Sequence, residues 1–184
     1  MRETDMRNRG RREEAGEEKQ FDEQVLHVDR VARVVKGGRR FRFRALVVVG
    51  DHKNRVGIGS AKGADVTSAV TKAVEIAKKN MIKINLYHET IPHESEAKVG
   101  GAHILIMPAS PGTGLIAGGV VRVILEIGGV KSALSKSLGS SNKTNAAYAT
   151  LEALKILEPA NKWVTRQFAA DKKPVKKTEI KEKV

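Results

Sequence analysis

Apolar and polar positions between residues 21 and 85 alternate in a pattern that predicts a small antiparallel sheet and one helix. A Val-rich run over 25–35 and a regularly alternating stretch over 40–49 predict two strands. The sequence Lys-Gly-Gly-Arg at 36–39 predicts a turn between them, because both Gly residues tolerate positive φ. A third strand is predicted at 55–59, and a helix with an apolar stripe follows Asp65, a common N-cap residue type. The expected unit is three antiparallel strands covered by one helix.

The second predicted strand has two chemically different faces. Phe41, Phe43, Ala45, Val47 and Val49 share one face, which we interpret as the core face. The other face carries a row of cations, namely Arg40, Arg42 and Arg44. The alternating Gly residues of the third strand predict a place where another backbone approaches closely.

A second apolar unit begins near 81–91. A strand is predicted at 103–107, followed by a Gly-rich loop from Pro111 and a helix over 115–127 that ends at the Gly pair 128–129. A weakly alternating strand at 131–138 and a helix at 145–157 complete it. The predicted fold class is α+β, in two small domains.

The domain boundaries follow from composition. Residues 1–20 form a charged tail and residues 161–184 a basic C-terminal extension. Residues 1–20 and 171–184 have few apolar anchors, and we expect both to be disordered or to fold on binding. The expected domains are 21–85 and 86–160. No fixed-period repeat is visible, which argues against solenoids and propellers.

The net charge of +13 lies mainly in the first domain. Residues 21–85 carry +8, against 0 for 1–20, +2 for 86–170 and +3 for 171–184. Residues 33–44 hold six cations and no acid, which favours a polyanionic partner. No stretch combines Lys or Arg with a face of Trp, Phe or Leu at helical spacing, so nucleic acid is favoured over a membrane surface.

Several classes are excluded. The absence of Cys rules out disulfide frameworks and thiolate sites and fits a reducing compartment. The uncharged stretch 99–121 is too interrupted by Gly and Pro for a membrane helix, and residues 1–20 lack the apolar segment of a signal peptide. We expect a soluble, intracellular protein.

Apparent catalytic motifs lack essential parts. Residues 112–117, Gly-Thr-Gly-Leu-Ile-Ala, match a dinucleotide-binding string, but Leu134 stands where the ribose-binding carboxylate is needed. His88, Glu89 and His93 resemble a zinc helix with a spacing that is too long and an intervening Pro92. We predict no catalytic residue, metal or cofactor. A nucleotide-dependent enzyme using the 112–117 loop remains the alternative.

The order of three strands and a helix is typical of double-stranded-RNA-binding domains, which recognise shape and phosphates. Seven aromatic residues in the chain fit phosphate contact better than base stacking. A regulatory protein that binds double-stranded RNA is therefore a further alternative.

Specific strings resemble the bacterial small-subunit ribosomal protein S5 family. In the first domain they are Val-Lys-Gly-Gly-Arg-Arg-Phe at 35–41, Ala-Leu-Val-Val-Val-Gly-Asp at 45–51, Arg-Val-Gly-Ile-Gly at 55–59 and Ala-Lys-Lys-Asn-Met at 77–81. In the second domain they are Pro-Ala-Ser at 108–110, Gly-Thr-Gly-Leu-Ile-Ala-Gly-Gly at 112–119 and Gly-Ser-Ser-Asn at 139–142. The blocks occur in the family's order over roughly 25–160.

The resemblance implies a double-stranded-RNA-binding-like domain joined to a β-rich α+β sandwich, in a cytoplasmic, non-enzymatic ribosomal protein. It implies binding to small-subunit rRNA at the junction of body and head and contacts with the fourth and eighth small-subunit proteins. It also implies a place on the path by which messenger RNA enters and an effect on decoding accuracy. The Arg row and the resemblance together give the candidate rRNA-binding residues. These are Arg33, Lys36, Gly37, Gly38, Arg39, Arg40, Arg42, Arg44, Arg55 and Lys62. The candidate protein-contact residues are Gly112, Gly114 and Arg122.

Overall fold

The computed structural model describes residues 21–159, which form two four-stranded sheets and three helices. The elements are β1 (Asp22–Val35), β2 (Gly38–Gly50), β3 (Arg55–Gly63), α1 (Val66–Lys79), β4 (Ile82–Lys83), β5 (Ser95–Val99), β6 (Ala102–Pro108), β7 (Leu115–Ile116), α2 (Gly119–Ile127), β8 (Ala133–Ser137) and α3 (Lys143–Ile156). The strand orders are β1-β2-β3-β4 and β5-β6-β8-β7, and only the β7–β8 pairing is parallel. The predicted α+β class is confirmed. The predicted extensions, 1–20 and 161–184, lie outside the described residues.

β1 and β2 form a long hairpin around the predicted turn. Val35 pairs with Gly38, so that Lys36 and Gly37 form a two-residue loop. Gly38 has φ +141°, a conformation that side-chain-bearing residues rarely adopt. β3 continues to Gly63 instead of ending at 59, and β4 adds a short fourth strand that the pattern does not predict.

α1 packs unusually closely on β3. A Cβ on Gly59 would lie 2.0 Å from the Ala73 carbonyl oxygen, and one on Gly57 would lie 2.2 Å from that of Ala77. Only glycine allows the helix backbone to approach the strand in this way. The small residues Ala69, Ala73 and Ala77 form the buried stripe of α1, as the sequence predicts.

The first sheet is buried on both faces along the second half of β2. Ala45, Val47 and Val49 pack with the buried stripe of α1. Leu46 and Val48, on the same face as the Arg row, instead join a core that includes residues of the second sheet, α2 and α3. On the face opposite α1, β2 is exposed to solvent only toward the hairpin loop. The two halves of the chain share the larger of the two hydrophobic clusters.

The second sheet differs from the prediction in two places. The helix predicted from 115 begins at Gly119, because Leu115 and Ile116 pair as a short parallel strand with β8. β5 was not predicted, since its sequence Ser-Glu-Ala-Lys-Val has a weak apolar pattern and it pairs only with β6, at the sheet edge. α3 forms near the predicted position and starts at an Asn142 N-cap, whose side-chain oxygen accepts a hydrogen bond from the Thr144 N–H.

Within residues 21–159, no helix has both the length and the apolar character needed to cross a membrane.

Candidate nucleic-acid interface

The hairpin of β1 and β2 projects beyond the rest of the fold. β3 pairs with β2 only as far as Phe43, which lies opposite Gly63. Residues 30–43, here termed the arm, start at this position and continue as a two-stranded ribbon beyond it, and nearly all of them are exposed. At ~3.3 Å per residue the arm extends roughly 20 Å.

The arm carries positive charge without compensation from within the ribbon. Its sequence contains no acidic residue, and all six of its cations are exposed. Arg33 lies directly opposite Arg40, a like-charged cross-strand pair that destabilises an isolated sheet. The cations are Arg30, Arg33, Lys36, Arg39, Arg40 and Arg42. Five of them are predicted rRNA-binding residues, and the structure brings these five together.

The register divides the arm into two faces. Arg33, Arg40 and Arg42 share one face, since cross-strand partners lie on the same side of a sheet. The opposite face carries Arg39 and Phe41, and the Arg30 guanidinium lies 3.9 Å from the centroid of the Phe41 ring.

Two points about this second face differ from the sequence prediction. Phe41 is 50% exposed, so its assignment to the core is wrong, whereas Phe43 is partly buried. α1 follows β3, which ends opposite Phe43, and the helix runs away from the arm, so Phe41 is left uncovered. Arg30 was missed as a candidate site residue. The turn at 36–37 fixes the hairpin register, and that register would have placed Arg30 beside Phe43 and diagonal to Phe41.

An ion pair marks the base of the arm. The Arg44 Nη2 atom lies 2.6 Å from Asp29 Oδ2, and His27 Nε2 lies 2.8 Å from Asp29 Oδ1. The hydrogen bond from Arg44 lowers the pKa of the Asp29 carboxyl, and His27 lowers it further against the opposing effect of burial. Arg44 is therefore held by a carboxylate, unlike the arm cations. Lys62 lies opposite Arg44 in the register of β2 and β3, and its side chain is exposed on the same face of the sheet.

Arg55 is separated from the other candidates. It lies at the opposite end of the sheet, roughly 35 Å along the strand direction from Arg40 at ~3.3 Å per residue. Its Nε atom lies 2.6 Å from Oδ2 of Asp51, whose side chain is only 5% exposed. Burial raises the pKa of Asp51, but hydrogen bonds from the Arg55 guanidinium and from the backbone N–H groups of Lys53 and Arg55 outweigh it and leave the pKa lowered. Arg55 thus has a structural partner within its own turn.

The candidate protein-contact residues lie in the second half of the chain. Gly112 and Gly114 have φ of +89° and +73°, and no atom lies within 4 Å of a Cβ built on either. Arg122 is exposed on α2. A cleft of about 240 Å³ next to the two Gly residues is lined also by His88 and Lys131. The three candidates, here termed the second surface, all lie outside the arm, and Arg122 does not line the cleft.

The structural context of the 112–117 string is not that of a dinucleotide site. Such a site needs the Gly-rich turn to lead directly into a helix N-terminus. Here β7 intervenes, and α2 begins only at Gly119. The prediction that this loop enters a helix at Leu115 is therefore wrong.

The described residues contain no group of three His, Cys, Asp or Glu side chains that could hold a metal ion. His88 and Glu89 lie in a turn with positive φ, where Tyr87 and Thr90 form a β-bridge. The Glu89 carboxylate forms an ion pair with Lys131.

Comparisons with known proteins agree with this architecture. The family described as ribosomal protein S5, N-terminal domain, matches residues 21–85, and that described as ribosomal protein S5, C-terminal domain, matches 97–166. Small ribosomal subunit protein uS5 of Thermus thermophilus, represented by three sequences, is 52% identical over 140 residues. The alignment covers 76% of this chain and 86% of each relative. Both family matches and this identity over most of the chain lead to one conclusion: the chain belongs to the ribosomal protein S5 family.

Proposed function

We propose that this protein holds small-subunit rRNA at the junction of body and head by placing its arm against rRNA phosphates. As a member of the S5 family it is a structural protein of the small ribosomal subunit, in the cytoplasm, with rRNA and ribosomal proteins as partners, and it is not an enzyme. The observation that carries the finer proposal is the arm itself, a protruding ribbon with six exposed cations and no acid.

The charge of the arm explains why phosphates are its expected partners. Like charges at close range repel, and phosphates that bind between them remove this repulsion and release counterions. Each phosphate contact with Lys or Arg contributes about 0.7–0.9 to the salt dependence of binding on a log-log scale. The proposed rRNA contacts are Arg33, Lys36, Gly37, Gly38, Arg39, Arg40 and Arg42, with Lys62 beside the base of the arm.

For Arg44 and Arg55, pairing with a carboxylate argues against contact with an rRNA phosphate. Arg44 is paired with Asp29, and Arg55 is paired with Asp51 at the far end of the sheet. Both stay predictions from the sequence, and the phosphate contacts proposed here do not include them. For Arg44, an rRNA phosphate would have to compete with the carboxylate of Asp29.

The second half of the chain is proposed to contact neighbouring ribosomal proteins. Residues 86–170 carry a net charge of only +2, which suits protein contact better than a second rRNA clamp. Gly112, Gly114 and Arg122 are proposed to contact the fourth small-subunit protein, and the eighth is proposed as a further neighbour. The exposed backbone at the two Gly residues leaves room for a partner to approach closely.

A shared core connects these two surfaces. Leu46 and Val48 of the hairpin pack in the same cluster as residues of α2 and α3. The two proposed surfaces therefore belong to one packed body. We further propose, as the family resemblance implies, a position beside the path by which messenger RNA enters and an effect on decoding accuracy.

The test compares two variants that lose the same charge. Arg39→Ala with Arg40→Ala removes two arm cations, and Lys72→Ala with Lys79→Ala removes two exposed cations from α1. Binding of each to small-subunit particles assembled without this protein is measured at several salt concentrations. We expect the arm variant to lower the log-log slope by about 1.4–1.8, with a smaller change in the α1 variant. Equal slopes in both variants would overturn the proposal.

A second experiment distinguishes a protein of the ribosome from a regulator that binds double-stranded RNA outside the ribosome. In a sucrose gradient of cell extract, the protein should sediment with small subunits. Sedimentation only with other RNA would favour the regulator.

A further inference from the structure

The face of the arm that carries Phe41 exposes apolar surface beside its cations. Phe41 is 50% exposed and Val34, diagonal to it across the hairpin, is 75% exposed. Phe41 is one of only seven aromatic residues in the chain, and half of its surface is exposed within the arm. This apolar surface is not explained by phosphate contact alone.

The Phe41 ring is already held in a stacked arrangement. The Arg30 guanidinium lies 3.9 Å from the ring centroid, within the range of a cation–π contact. Directly opposite Phe41 in the ladder is Ala32, whose single methyl group leaves the ring accessible. Arg39 lies on the same face, one alternating position nearer the loop.

We propose that the Phe41 ring and the Arg30 guanidinium form a stacking platform for one unpaired rRNA base. This inference rests on the proposed binding of rRNA by the arm and adds a second mode of contact. Unpaired RNA bases stack on aromatic side chains and on the planes of Arg guanidinium groups, and this platform offers both. The cations of Arg30 and Arg39 would lie near the phosphates that flank such a base.

Charge favours RNA over a protein as the occupant of this face. Every charged residue of the arm is a cation, so its field attracts a polyanion and repels the basic surfaces common among rRNA-binding proteins. The arm would therefore contact phosphates on the face of Arg33, Arg40 and Arg42, and a base on the face of Phe41.

The test uses two substitutions that keep the charge of the arm. Phe41→Leu keeps apolar bulk but removes the π surface, whereas Phe41→Tyr keeps the ring. Stacking predicts that Phe41→Leu weakens binding to particles lacking this protein by about 5- to 150-fold, with an unchanged salt slope. Phe41→Tyr should bind within about threefold of the wild type. Chemical probing should show one rRNA base protected by the wild type and Phe41→Tyr, but reactive with Phe41→Leu.

The outcomes separate this inference from the proposed function. If Phe41→Leu binds like the wild type while the Arg39 and Arg40 substitutions lower the salt slope, the stacking platform is wrong and phosphate binding stands. If Phe41→Leu binds protein-free rRNA normally but fails to enter subunits, the face contacts a protein, which also overturns the platform. If the Arg substitutions leave the slope unchanged, the proposed function itself fails.

Discussion

Arg44 and Asp29 lie opposite each other across β1 and β2, and their ion pair separates the embedded part of the hairpin from the arm. On the loop side of this pair, every charged residue is a cation. On the other side, from Ala45 onward, β2 is buried. The pair thus occupies the boundary between a strand that holds the fold together and a ribbon that is free to bind.

Replacing both residues of this ion pair by neutral ones leaves the net charge of the protein unchanged and should leave rRNA binding nearly unchanged. Both side chains are about one-third exposed, so the pair contributes little to stability, on the order of 1 kcal/mol or less. We expect Asp29→Asn with Arg44→Gln to alter the log-log salt slope much less than Arg40→Gln alone, which should lower it by about 0.7–0.9. An equal fall in both would mean that Arg44 leaves Asp29 to contact a phosphate.

Leu46→Ala should destabilise both halves of the chain together. Leu46 is buried in the core that spans the two sheets, and truncation of a buried Leu costs about 2–5 kcal/mol. In urea unfolding we expect one transition at lower denaturant. Hydrogen exchange should accelerate for amides of α3 as well as α1. Two separate transitions would show that the shared core does not couple the halves.

Gly59→Ala should destabilise the first sheet. The added methyl group would lie 2.0 Å from the Ala73 carbonyl oxygen and 2.7 Å from the Ala77 nitrogen, so α1 must move. Such overpacking typically costs about 1–3 kcal/mol and occasionally more. The matched control is Gly37→Ala, where no atom lies within 4 Å of the new Cβ. Thermal unfolding of both variants measures the difference, and equal melting temperatures would contradict the close packing.

Asp51 should contribute stability that is lost in acid. Its pKa is lowered in the folded state, so it contributes fully above the unfolded value of about 3.9. The contribution declines as the pH falls through the folded pKa. We therefore expect Asp51→Asn to be less stable than the wild type at pH 6, with the difference shrinking below about pH 4. Arg55→Ala should shift this loss to higher pH, and denaturant titrations across the pH range measure both effects.

Arg122→Ala tests the second surface. We expect it to weaken binding of the purified fourth small-subunit protein by at least about fivefold, because an Arg that anchors an interface contributes more than ~1 kcal/mol. The salt slope of rRNA binding should not change. Lys98→Ala, which removes an exposed charge from β5, is the control. Calorimetry with the purified partner distinguishes them, and equal affinities would exclude Arg122 from the interface.

Local pattern was sufficient to predict the hairpin and the two longer helices. Alternation over 40–49 and the Lys-Gly-Gly-Arg turn define β2 and its pairing with β1. Apolar residues at helical spacing after Asp65 predict α1, and the same spacing over 145–157 predicts all of α3 except its first two residues. These features depend on residues close in sequence, which is why periodicity reveals them.

Features that depend on distant parts of the chain could not be predicted in the same way. Alternation places Phe41 on the same face as Val47, but it cannot show that α1 begins short of Phe41 and runs away from it. It also cannot show that Leu46 is covered by the second half of the chain. The strand at 115–116 exists only because β8 lies beside it. By contrast, the position of Asp29 opposite Arg44 follows from counting back along both strands from the turn.

The open edges of the arm have a consequence for the protein before it meets RNA. In the arm, each strand has one edge whose backbone N–H and C=O groups face no neighbouring strand among the described residues. Such edges can pair with the edges of other molecules, and natural proteins often block this with charged side chains. Six cations on so short a ribbon make two copies repel each other. The charges that are proposed to attract rRNA would thus also keep newly made copies from aggregating through their arms, a protection that is no longer needed once rRNA covers them.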